Sequence, residues 1–174
     1  MKIDIRQIIG DHLSTLKDGR TKRLSVSDLL IFFFVPVIMG LAAFLVKMPL
    51  DRDVYNAAIT FFGIFIALLL NVQVAIFGIF QRKWPPPSDK KLLPIHQDRT
   101  RERRELLGEL NANLSYLTLV CCVALVETFC FFVFKNFTPL AVCIVVSTSM
   151  HFLMTLLMTV KRTHVLFHKE YTLD

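Results

Sequence analysis

The sequence predicts an all-α integral membrane protein with four transmembrane helices arranged as two hairpins. Composition, four long apolar stretches and a lopsided charge distribution point to it. Of 174 residues, 54% are hydrophobic and 16 are Phe. The mean hydropathy is +0.54, which is too apolar for an ordinary soluble domain. The stretches Val26–Val46, Tyr55–Phe80, Ala112–Phe134 and Pro139–Val160 approach or exceed the roughly 20 residues that carry a helix across about 30 Å of hydrocarbon. Of the 20 Lys and Arg residues, all but Lys47, Arg52 and Lys135 fall in the N-terminal segment, the middle connection or the tail. Basic residues concentrate in cytoplasmic loops, so both termini and the middle connection are expected in the cytoplasm.

Segment 1–23 places Ile5, Ile9, Leu13 and Leu16 at helical spacing among charges. That pattern predicts an amphipathic helix lying on the cytoplasmic leaflet or against the protein's own loop. Gly19 should end it, and "SVSD" (Ser25–Asp28) supplies capping side chains for the first span. The first apolar run follows several acidic residues and is too long for a cleaved signal, so it is expected to remain in the mature protein.

The first hairpin occupies 24–80. No charge or polar side chain occurs between Leu29 and Val46. Pro36 should kink the helix, and Gly40, one turn later, should let a neighbour approach closely.

A basic loop and helix follow over 81–110. Trp84 is placed as an interfacial anchor. "KWPPPSDKKLLP" (83–94) cannot continue a helix and reads as a stiff spacer that turns the chain, or alternatively as a ligand for a proline-recognising domain. From about Asp98 a single helix is expected to run into the third span and to project several turns into the cytoplasm. Leu106, Leu107, Leu110 and Leu114 would form its adhesive side. Lys90, Lys91, Arg99, Arg101, Arg103 and Arg104 are the candidate surface for anionic lipid or an acidic protein partner. No aromatic residues alternate with these charges, so direct nucleic-acid binding is not expected.

The second hairpin covers 111–160, and 161–174 form a cytoplasmic tail. All four cysteines lie in this hairpin, so they are not a soluble disulfide framework. A Cys130–Cys143 bridge is geometrically possible, but buried free cysteine as a small apolar filler is the expectation.

No catalytic motif is present: no phosphate-cradling glycine loop, HExxH, CxxC or nucleophile elbow. No cofactor and no metal are expected. His164 and His168 have metal-compatible spacing but lack a third ligand. Polar groups inside the spans are then the informative set, since an ionisable residue there defaults to a functional reading.

Periodicity sorts these groups into faces. Asn113, Tyr116, Val120, Ala124 and Glu127 share one stripe of span three. Ser147, His151 and Thr155 share one of span four. Thr60, Ala67, Asn71, Ala75 and Gly78 share one of span two, while Gln73 points elsewhere. The three faces are expected to meet away from lipid.

At about 1.5 Å per residue, Glu127 and Ser147 lie on the order of 12 Å from the outer boundary, His151 about 20 Å and Asn71 about 25 Å. Such a staggered series reads as an interhelical hydrogen-bond ladder or a partly hydrated path. Glu127 is expected to be protonated or hydrogen-bonded toward span four, through Ser147, Thr148 or His151.

This layout of cytoplasmic termini, short-looped hairpins, a basic middle loop and no enzyme motif resembles the small four-span membrane subunits of bacterial anti-phage defence systems, such as that of the Kiwa system. The resemblance implies an oligomer of the bacterial inner membrane that responds to infection together with a cytoplasmic effector. It assigns no residue a role. The expected function is that of a non-enzymatic, oligomeric inner-membrane subunit that senses or perturbs the bilayer and recruits a cytoplasmic effector; a small ion channel or proton-coupled transporter using Glu127 and His151 is the alternative.

Overall fold

A computed structural model describes residues 5–16, 26–82, 85, 89–135 and 138–171 of the chain. All regular structure among them is helical: α1 (Ile5–Thr15), α2 (Val26–Leu45), α3 (Arg52–Gln81), a 3-10 turn (Lys90–Leu92), α4 (Leu93–Val133) and α5 (Pro139–Tyr171). Gly19, Ser25, Trp84 and two of the three linker prolines lie outside the described residues. Among the described residues, three helices are long and apolar enough to cross a membrane: α3, α4 and the Pro139–His164 portion of α5. In α2 the apolar stretch among the described side chains is Leu30–Leu45.

Local chemistry sets the helix ends. Lys47 adopts a left-handed φ of 51°. There the Met48 N–H bonds the Ala43 carbonyl and the Lys47 N–H bonds that of Phe44, the paired pattern that closes a helix C-terminus. Asp51 accepts from the Val54 N–H at 3.0 Å and caps α3. Contrary to the expected start near Asp98, α4 begins at Leu93 and runs for 41 residues. Pro94 sits in its first turn, where the missing N–H would have no intrahelical partner anyway.

In space the order is α2, α5, α4, α3, with α1 laid against α4. Consecutive helices α2 and α3 do not touch; each finds its partner in the second half of the chain. The residue pairings run antiparallel: Phe32 meets His151 while Gly40 meets Cys143 and Ser147. Gly40 does what its small size implied. A β-carbon there would lie 2.6 Å from the Cys143 carbonyl and closer still to Ser147, so only glycine lets the two backbones approach this far.

The α3–α4 seam overturns one expectation. Tyr55, Phe62, Leu69 and Ile76, spaced by seven, are buried, whereas Thr60, Ala67, Asn71, Ala75 and Gly78 face outward. Large side chains two turns apart bury more surface and make more contacts than the small ones, and they win the interface. Phe62, Leu69 and Ile76 pack against Leu110, Leu114, Leu117 and Ala124 of α4. Phe152 of α5 closes the cluster with edge-on contacts to Phe61, Phe62 and Phe65. Leu107, Leu110 and Leu114 are thus already covered within the chain. They do not form the free adhesive side expected of the projecting helix.

Candidate functional site

The polar groups converge where α1, α2, α4 and α5 come together. Pro36 has no N–H, so the Phe32 carbonyl one turn earlier loses its intrahelical donor. His151 of α5 supplies the replacement, with its Nδ1 3.2 Å from the Phe32 oxygen. A carbonyl can only accept, which fixes the hydrogen on Nδ1. The other nitrogen of a neutral ring is then an acceptor. Tyr116 of α4 donates to it, with OH and Nε2 2.8 Å apart. Both ring nitrogens of His151 are therefore committed.

Tyr116 passes the arrangement on to α1. The His12 ring stacks on it with centroids 3.8 Å apart and planes at 4°. Asn113, one turn before Tyr116, has its Oδ1 2.9 Å from His12 Nδ1 and accepts from the Thr15 hydroxyl at 2.9 Å. His12 is 1% exposed and Asn113 0%. Asn113 Nδ2 is enclosed without a partner among the described residues. Arg162 of α5 bonds both the Thr15 carbonyl and Glu109 of α4, tying the end of α1 to two long helices. Burial above all pushes the His12 pKa down to about 4, with His151 and Arg162 adding to the effect and the Asn113 bond opposing it.

The face of α1 that packs inward is His12, Thr15 and Leu16, while Ile5 and Ile9 remain exposed. The isoleucine stripe does not lead the docking; the polar residues between do. The signal in the sequence was Asn113, a buried-face amide with no evident partner in its own hairpin. Nothing in the sequence indicated that its partners were His12 and Thr15, roughly a hundred residues away.

The remaining predicted residues separate. Thr148 is the side chain placed to donate to the Glu127 carboxyl, whose Oε1 is enclosed without a partner among the described residues. Of the three candidate partners, then, Thr148 is the one beside it; Ser147 lies against Gly40 and His151 belongs to Tyr116 and Phe32. Asn71 is exposed on the outer face of α3, far from this set. Gln73, not Asn71, reaches α4, donating to Ser115 at 2.9 Å. Thr155 and Thr159 bond the carbonyls four residues back, a satisfied state for hydroxyls inside a helix bundle. All four cysteines are free thiols.

On the basic surface, Lys91, Arg99, Arg101 and Arg104 are exposed and Arg103 is half-buried. Lys90 opens the 3-10 turn, and its side chain lies outside the described residues. Arg101 and Glu105 form an exposed i,i+4 pair at 3.0 Å, which contributes little to stability.

No family model, curated protein or solved structure matches the chain.

The Glu127 contact gives a graded expectation. Gln at position 127 keeps the size and can still accept from Thr148, so assembly in detergent should stay close to wild type. Leu removes the bond and should weaken the fold by about 1 kcal/mol, within the range measured for interhelical polar contacts. A Gln variant as unstable as the Leu variant would show that the charge, not the hydrogen bond, holds this position.

Proposed function

We propose that the chain is a non-enzymatic membrane subunit that crosses the bacterial inner membrane four times, with α2 as the fourth span, and recruits a cytoplasmic protein. The observation that carries this reading is the start of α4. Its first buried residue is Leu107, and the turns before it carry Arg99, Arg101 and Arg104 exposed to solvent. They extend the helix about 20 Å beyond its packed part. A rigid, charged rod continuous with a membrane helix presents a fixed pattern to an acidic partner surface.

Both termini are placed with it in the cytoplasm, because the three regions that hold nearly all the basic residues would otherwise have to cross the membrane. Membership in an oligomer fits the outward Asn71, since a second copy can supply the hydrogen bonds that lipid cannot. Action in anti-phage defence rests on the resemblance of layout to the four-span defence subunits.

The alternative, proton or cation movement through Glu127 and His151, is less well supported. His151 has both nitrogens engaged, and Glu127 lies beside Thr148 instead of His151. The two groups do not form a continuous relay.

Charge reversal at Arg99 and Arg101 should abolish co-purification of the cytoplasmic partner while membrane insertion and detergent stability stay unchanged. The test is affinity isolation of wild type and variant from the same cells with quantitative comparison of bound proteins. Equal recovery of every partner from both would remove this surface from the function.

A further inference from the structure

We infer that the groove between α3 and α4, at the end of α3 that carries Arg82, is a binding site for one anionic phospholipid. The groove is a cavity of about 350 Å³ that opens outward, lined by Val72, Ala75 and Ile79 of α3 and by Leu107 and Leu114 of α4, with Arg82 and Arg103 at one end. A second cavity of about 420 Å³ shares Ile79, Arg82, Arg103 and Leu107 and adds Arg104. The three guanidinium groups therefore border a common space at the mouth of an apolar channel.

Length and chemistry both select a lipid. From Arg82 back to Val72 the groove spans about 15 Å at the helical rise, the depth of one leaflet of a 30 Å hydrocarbon core. An acyl chain entering beside the arginines would thus lie against apolar walls along the length of its leaflet. Its phosphate would meet groups whose planar donor forks match phosphate oxygens. A second copy's apolar helix could cover the walls but would bring nothing to the arginines. A free anion would pair with the arginines and leave the exposed Val72 and Ala75 uncovered. The site shares only Arg104 with the partner surface proposed above, and Arg99 and Arg101 line neither cavity, so the two are tested separately.

The experiment uses the full chain reconstituted in mixed phosphatidylcholine–phosphatidylglycerol vesicles, then extracted into mild detergent and analysed by mass for retained lipid. Phosphatidylglycerol should be enriched over its bulk proportion, by about fivefold for each arginine that holds it. R82Q changes an exposed residue at the C-cap of α3 and should lower the enrichment about fivefold, the effect of one charge. A75W fills the groove and should abolish the enrichment. R99E/R101E, on the exposed rod, should leave it unchanged.

Bulk proportions in wild type would overturn the inference, as would enrichment that R82Q leaves intact. Equal loss in R99E/R101E would replace the site with diffuse surface charge. Displacement of the lipid by excess inorganic phosphate would make it a free-anion site. Occupation by a second copy would appear as a dimer that A75W breaks while lipid composition stays at bulk, and it would overturn the lipid assignment too. Should A75W fail to fold, R82Q alone decides.

Discussion

His151→Phe is expected to destabilise the protein by about 1–3 kcal/mol, the range for stranding buried hydrogen-bonding partners, and Pro36→Ala should recover much of that loss. Phenylalanine keeps the ring that lies 5.3 Å from Phe33 but removes the donor to the Phe32 carbonyl and the acceptor for Tyr116. In hydrocarbon no water can replace them. Alanine at position 36 restores a backbone N–H to the turn, so Phe32 can be satisfied inside α2 and no longer needs α5.

The two substitutions should therefore be strongly non-additive, coupled by on the order of 1 kcal/mol in a double-mutant cycle. Tyr116 remains short of an acceptor in the double variant, so recovery should be incomplete. Tyr116→Phe in the His151→Phe background should regain part of the rest. The measurement is reversible unfolding in detergent for all variants. Strict additivity of Pro36→Ala and His151→Phe would show that the histidine does not repair the proline, and would return His151 to the list of groups whose purpose is open.

How much of this arrangement was legible depends on the length scale of the signal. Gly40 could be read as a close approach because it acts through its own backbone. The stripes Asn113–Tyr116–Val120–Ala124 and Ser147–His151–Thr155 turn inward as periodicity implied, because long helices cannot vary the angle between residues four apart. The pairing of helices was not legible. Every apolar helix offers several faces, and which face wins depends on the summed contact of all the neighbours. On α3 that sum favoured Tyr55, Phe62, Leu69 and Ile76, and Asn71 was left outside.

Glu127 stood out as an ionisable residue within a span, yet Thr148 was one of three candidate partners on the facing helix. The docking of α1 was the least visible feature. Its helix advertises an isoleucine face, and the decisive residue is a histidine whose partner is an amide far along the chain.

That histidine makes the docking of α1 sensitive to pH, and here the largest change short of unfolding is expected. His12 is held neutral when docked, with a pKa near 4, against about 6.5 for an exposed histidine. Between these values the undocked helix binds a proton that the docked one excludes, so docking is at full strength above pH 6.5 and weakens as pH falls toward 4. The slope is at most about tenfold in the docking equilibrium per pH unit.

The groups around His12 have separate signatures. Tyr116 and His151 face it from α4 and α5, Arg162 and Glu109 flank the Thr15 end, and Asp11 precedes it on α1 itself. Asn113→Leu strands the His12 donor, while the Thr15 hydroxyl keeps the His12 carbonyl as its acceptor. It should raise hydrogen exchange of the α1 amides by about tenfold to a hundredfold at neutral pH, the equivalent of about 1–3 kcal/mol. Asn113→Asp places a carboxylate against His12 and raises the pKa of the docked ring, so acid should no longer loosen α1 over this range.

Exchange of Ile5–Thr15 at pH 7 and pH 5 in wild type and Asn113→Asp is the deciding comparison. Identical pH dependence in the two would mean that another group titrates. If protection in wild type, corrected for the intrinsic pH dependence of exchange, does not change between these pH values, the docked ring titrates like the undocked one and burial does not hold it neutral.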